Sequence, residues 1–261
     1  MKITASKSIR LLLTSCAFLA STAGNAAQTW TLNDFDCGAG SSYGNSWSAK
    51  SGSGCSGATE VAATAWSNTA AGSTTIATAQ LNKYSGGGFG VANQIETTTV
   101  TSPNHALDGS GQTDLVLFNF TTSAALDKLR VGYINTDSDL SVLAWTGVNA
   151  PPVAGKTLAG LVTSGWTLVG NYANLTLNTD TAINAGNISS SWWLISAYNS
   201  AWGAGTGLDS GNDYVKLLTI ATKDVSRVAE PGSLALAGIA MFGMLMLRRK
   251  ERALGKERAT G

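Results

Sequence analysis

The sequence predicts an all-β protein: an antiparallel, jelly-roll-like β-sandwich ectodomain between an N-terminal signal peptide and one C-terminal transmembrane helix. Three observations lead there. Runs rich in β-branched and aromatic residues alternate with Gly, Asn, Ser and Asp clusters, the pattern of strands and turns. Long uncharged apolar stretches occur only near the two ends. Positive charge is concentrated beside those stretches rather than spread over the body.

Residues 1–27 read as the signal peptide. Lys2, Lys7 and Arg10 precede the apolar "LLLTSCAFLA" and then small residues ending in "GNAA", with a cut after Ala26 or Ala27. Leu13-Thr14-Ser15-Cys16 has the form of a lipoprotein box. Cleavage there, however, leaves about five apolar residues after Arg10, fewer than the roughly 7–15 that such a signal needs. Removal of residues 1–27 leaves Cys37 and Cys55 of the three cysteines. In an oxidising compartment they are expected to pair and staple the Gly/Ser-rich segment between them, with two free thiols as the alternative.

The ectodomain is placed at 28–227. Between Gln28 and Val228 there are 8 Lys/Arg against 13 Asp/Glu, and no basic stripe, so nucleic acid is excluded as a partner. The strands read as "TTIATAQL", "QIETTTV", "DLVLFNF", "LDKLRVGYI", "DLSVLAWT", "GWTLVGNY", "SWWLISAY" and "DYVKLLTIATK". In "KLRVGYI" the alternation puts Leu129, Val131 and Tyr133 on one face and Lys128 and Arg130 on the other. "DLVLFNF" is apolar on nearly both faces, as a central strand covered on two sides should be. About ten strands over roughly 200 residues suit one sandwich. No long body segment shows helical periodicity, and no repeat with the period of a solenoid or propeller is visible.

The sorting region is placed at 228–252 and a cytoplasmic tail at 253–261. Ser233 to Leu247 carries no charge, and Arg248, Arg249 and Lys250 follow at once. The span, a helix over 232–247, is about 17 residues when counted from Pro231, at the short end of what crosses a bilayer. The basic cluster marks its cytoplasmic side, leaving the body outside, in agreement with the signal peptide. Pro231 suits the first turn of that helix and pushes Glu230 to extended backbone, the form in which proteases bind a chain.

Ala229-Glu230-Pro231-Gly232-Ser233, the apolar span and the Arg-Arg-Lys cluster together resemble a PEP-CTERM sorting signal. The usual first proline of that motif is Ala229 here. The resemblance implies a substrate of exosortase, a membrane transpeptidase of Gram-negative bacteria that make exopolysaccharide, with the tail removed on sorting. "SPNHALDGSGQTDLVLFNF", "GYINTDSDLSVLAWTG", "GWTLVGNYANL" and "LISAYNSAWGAGTGLDSGNDYVKLL" are similar to blocks shared by one group of exosortase-dependent surface proteins. That group implies no catalytic activity.

No catalytic residue, metal-ligand set or cofactor is assigned. His105 is the only histidine, and it is expected to bond within the turn "SPNHALDG". Gly40 to Gly44, "GSSYG", satisfies G-x-S-x-G, but a nucleophile elbow must follow a buried strand and open a helix. Zinc would need clustered His or Cys. A structural calcium ion is the open possibility, at Asp108 with Asp114, Asp137 with Asp139, or Asp209 with Asp213. Each pair also reads simply as turn residues capping their own backbone. Tryptophans 30, 47, 66, 145, 166, 192, 193 and 202 either fill the core or stack on sugars, and in Trp192-Trp193 period 2 sends the two rings to opposite faces. Sequons at Asn119, Asn174 and Asn187 and the short "TTTVT" carry no assignment. P-loop, G-x-G-x-x-G and CxxC patterns are absent from the sequence.

The expectation is an exported, non-catalytic protein, anchored in the inner membrane as a precursor and then released to the cell surface or biofilm matrix. Exosortase is the processing partner and polysaccharide a possible contact. The alternative is a carbohydrate-binding module or glycan-active enzyme on the same anchor, which would need two carboxylates in a Trp-lined groove.

Overall fold

The computed structural model describes residues 26–38, 40–52, 55–69, 74–96, 103 and 105–223. Residues 1–25 of the expected signal peptide, the motif Ala229–Ser233, the helix at 232–247 and the cluster Arg248–Lys250 lie outside them. Among the described residues no helix is long and apolar enough to cross a membrane.

The strands are β1 (Thr29–Thr31), β2 (Cys37–Gly38), β3 (Ser46–Lys50), β4 (Thr59–Ser67), β5 (Ala77–Tyr84), β6 (Gly88–Ala92) and β7 (Leu107–Asp108), then β8 (Asp114–Ala124), β9 (Leu126–Thr136) and β10 (Leu140–Trp145). A single α-helix among the described residues, α1 (Leu158–Thr163), precedes β11 (Trp166–Tyr172), β12 (Thr181–Ala182), β13 (Ser190–Ala197) and β14 (Asp213–Thr222). They form one curled sheet in the order β11-β10-β13-β8-β4-β5-β6-β14-β9-β12, with β2 and β3 beside β4 and with β1 and β7 beside β14. The paired strands are antiparallel, so the all-β antiparallel expectation holds. β5 makes the curl: Ala77–Ala79 pair with β4, whereas Gln80–Tyr84 pair with β6.

Curling brings residues of both halves into one core. Val61, Ala63, Val116, Phe118, Val142, Trp193 and Ile195 meet Leu81, Phe89, Val91, Leu129, Val131, Val215 and Leu217 there. Each large apolar side chain removed from water contributes roughly 1.5–3 kcal/mol. β8 shows why its sequence is apolar throughout. Val116, Phe118 and Phe120 enter this core, while Leu115 and Leu117 on the opposite face enter a second one. The second core is roofed by α1 and by a 3-10 turn at Ser200–Trp202, and it holds Ile76, Leu143, Trp145, Leu158, Leu161, Trp166, Leu194 and Trp202. α1 starts where Thr157 Oγ1 accepts from Gly160 N, a side-chain cap on an otherwise short helix.

Two expectations need correction. Tyr133 does not share the face of Leu129 and Val131. Val131 lies opposite Leu217 and Tyr133 opposite Lys216, which leaves Gly132 as an extra residue. That bulge turns Tyr133 outward and Ile134 toward the core. A Cβ at position 132 would stand 2.7 Å from the Gly87 carbonyl, so glycine is what fits. The second correction is at Gln94–Glu96, which form a bend rather than the start of a strand, because Asn93 Oδ1 accepts from both Ile95 N and Glu96 N.

Candidate metal centre

β9 lies in one half of the sheet and β10 in the other, so residues 137–139 carry the chain across between them. β14 begins alongside. Asp137 bridges to Asp213 and Tyr214 N donates to Asp137 O at 3.1 Å. Asp139 N donates to Asp213 Oδ1 at 2.6 Å. These backbone contacts bring Asp137, Asp139 and Asp213 together, with one carboxylate oxygen of each within 4.8 Å of the others'. Asp139 and Asp213 are fully buried and Asp137 is half-buried. The strand ends point the two expected pairs, Asp137 with Asp139 and Asp209 with Asp213, at one place.

Asp139 is the hub. Its Oδ1 accepts from Asn174 N at 2.6 Å and its Oδ2 from Asp209 N at 3.0 Å. Two loops, after β11 and before β14, are thereby tied to the crossover. Asp137 Oδ1 accepts from Ser138 N at 2.8 Å, and the Asp137 carboxyl is also in hydrogen-bond reach of the Asp209 carboxyl. Asp213 Oδ2 is buried without a donor, and so is Asn212 Oδ1 on the adjacent residue. Burial, reinforced by the charges of Asp139, Asp137 and Asp209, pushes the Asp213 carboxyl up to about 8, against the lowering effect of the bond from Asp139 N. Burial likewise raises Asp137, against the bond from Ser138 N. Among the described residues no Lys or Arg forms an ion pair with any of the four acids; the ion pairs there are Lys83–Asp36, Arg130–Asp180 and Lys223–Asp127.

The third pair is Asp108 with Asp114, both buried, on β7 and at the start of β8. Asp114 lies far above the usual carboxylate range through desolvation, then through Asp108 and Glu96. Asp108 is pushed up to about 7 by desolvation and the Glu96 charge. The neutral forms are therefore favoured. His105 is part of the same corner, and among the described residues its side chain reaches outside its turn. Its Nδ1 lies 2.9 Å from Tyr84 Oη, and the backbone at 105 is left-handed with φ 76°. Tyr84 also flanks Lys216, whose Nζ sits 4.6 Å from that ring and 3.7 Å from the Tyr133 ring.

Gly40–Gly44 form the turn between β2 and β3 and open no helix, so the nucleophile-elbow geometry is absent. Cys37 and Cys55 are bonded as a disulfide, Cα–Cα 5.3 Å, which closes the base of that hairpin.

The tryptophans belong to the fold. Trp193 enters the main core and Trp192 packs against the second, so the opposite-face expectation holds with neither ring free. Seven of the eight indole N–H groups find acceptors inside the protein, among them Trp145 to Asn149 O, Trp166 to Pro152 O, Trp193 to Ala124 O and Trp202 to Leu158 O. A groove beside the disulfide does combine Trp30 with Asp34, Asp36 and Glu60. There Asp36 pairs with Lys83 at 2.9 Å, and Glu60 accepts from Trp30 Nε1 and Gln28 Nε2. Those carboxylates hold neighbouring segments together rather than standing free.

No protein-family model matches this chain, and no curated protein matches it. The functional reading therefore rests on the residues alone. Sequence reasoning found all four acids of the centre but not their convergence. The signal that could have found it is weak: Asp-x-Asp at the end of one strand run and Asp at the start of another.

Proposed function

We propose that the protein is an exported, non-catalytic surface or extracellular-matrix protein, sorted and processed by an exosortase-type enzyme in a cell that makes exopolysaccharide. In this reading the curled sheet is a jelly-roll-like sandwich ectodomain. Residues 1–27 direct export, and the helix at 232–247 holds the precursor in the inner membrane with Arg248, Arg249 and Lys250 inside. The enzyme then cuts within Ala229–Ser233.

The observation that carries the reading is the Cys37–Cys55 disulfide. It joins the two cysteines that remain once the signal is gone, and such bonds persist in oxidising compartments. The non-catalytic part is supported by the employment of the polar groups. Asp139 accepts from two backbone N–H groups, and Asp36 and Glu60 in the Trp30 groove bind neighbouring side chains.

The test is an epitope tag at the C-terminus, followed in cells with and without the processing enzyme. The proposal expects the tag to be lost from surface-located protein only when the enzyme is present. A tagged full-length membrane form in both strains would overturn it.

A further inference from the structure

We propose that Asp137, Asp139 and Asp213, with Asp209 at the rim, bind one calcium ion that locks the β9–β10 crossover to the loop before β14. Three carboxyl groups converge, with the charge of Asp209 felt at Asp137 and Asp213, where no Lys or Arg among the described residues pairs with them. Like charges so close, partly out of water, are costly unless protons or a cation offset them. The second observation is independent of the clustering. Asp213 is fully buried, yet its Oδ2 has no hydrogen-bond donor, whereas its Oδ1 is taken up by Asp139 N. An acceptor left over in this way, on a buried member of the cluster, is a coordination position.

Geometry and ligand type choose the ion. Three oxygens within 4.8 Å of one another can all touch one ion at the roughly 2.3–2.6 Å of calcium–oxygen bonds. The donors are all oxygen, which disfavours zinc with its preference for nitrogen and sulfur. Magnesium demands a near-ideal octahedron and gives up water reluctantly, whereas calcium accepts irregular sets of 6–8 oxygens. Carboxylates from two separate segments and water at the exposed Asp209 side make such an irregular set. The buried Asn212 Oδ1 is a further oxygen on the same loop. Once bound, the ion would reinforce the hydrogen bonds by which Asp139 joins these segments.

The experiment is calorimetric titration of calcium into the full-length, EGTA-stripped protein, paired with thermal unfolding. Wild type is expected to bind one calcium per chain with a Kd of about 1 mM or tighter, the range of extracellular modules, and to melt higher in calcium than in EGTA. Asp213→Asn should weaken binding about tenfold or more, and Asp36→Asn, a surface acid elsewhere, should leave it within about twofold. Should Asp213→Asn not fold, Asp209→Asn decides alone, since that side chain is exposed: the expected loss is about threefold or more, with the melting temperature in EGTA unchanged. The proposal is overturned by absence of saturable binding at tenfold or so above that Kd range. It is equally overturned if both site variants bind as wild type does, or if magnesium binds as tightly as calcium.

Discussion

Replacing Asp139 with alanine strips the acceptor from two backbone donors at once, Asn174 N at 2.6 Å and Asp209 N at 3.0 Å. Hydrogen bonds to a charged group contribute about 1.5–3 kcal/mol each, so the two together amount to roughly 3–6 kcal/mol. Removing a buried carboxylate from beside Asp137 and Asp213 returns part of that, because the remaining acids repel less. The net expected loss is about 3 kcal/mol, a large fraction of the 5–15 kcal/mol by which domains are typically stable. Asparagine at 139 keeps one acceptor oxygen and should lose about half as much. The assay is urea unfolding followed by tryptophan fluorescence, in EGTA so that no cation contributes. The midpoint should fall while the slope stays constant. An alanine variant within about 0.5 kcal/mol of wild type, the spread ordinary for surface changes, would refute the hub assignment.

Further outcomes follow from other parts of the fold. Reducing the Cys37–Cys55 bond, which spans 18 residues, should lower stability by about 3 kcal/mol, read as a urea midpoint shift with and without reductant. Phe118→Ala, which empties a fully buried site between the sheet halves, should cost about 3–5 kcal/mol by the same assay. For Asp108 the sign follows from its raised pKa. The folded state holds the proton up to about 7 whereas the unfolded chain releases it near the ordinary carboxylate value, so stability falls as pH rises between them. Burial is the first cause, with Glu96 beside it and Asp114 coupled to it, and Asp108→Asn should flatten that part of the profile in a pH series of unfolding midpoints.

Much of the sheet was legible wherever hydrophobic patterning was strong. β8 announces both cores because its two faces are both apolar, and β9, β10, β13 and β14 are recognisable by their Val, Ile, Leu and aromatic content. β4 was not legible. Its core face is Val61 followed by Ala63 and Ala65, and the two alanines have little strand preference of their own. β6, "GFGVA", hides behind glycines for the same reason. The Gly132 bulge defeated strict alternation, since one extra residue reverses every side chain beyond it. α1 is six residues long, too short for a helical period to register, and its stability comes from packing Leu158 and Leu161 under the Trp cluster. The acid centre was legible as residues and not as a place. Asp139 and Asp213 are 74 positions apart, and only the β9–β14 pairing and the β9–β10 crossover bring them within a hydrogen bond.

The account stands most directly on what leaves the cell envelope. Intact mass spectrometry of the protein recovered from the cell surface should give a chain that starts after Ala26 or Ala27, ends within Ala229–Ser233 and is lighter by two hydrogens for the Cys37–Cys55 bond. A surface form that still carries Arg248, Arg249 and Lys250, or that has both thiols free, would contradict it.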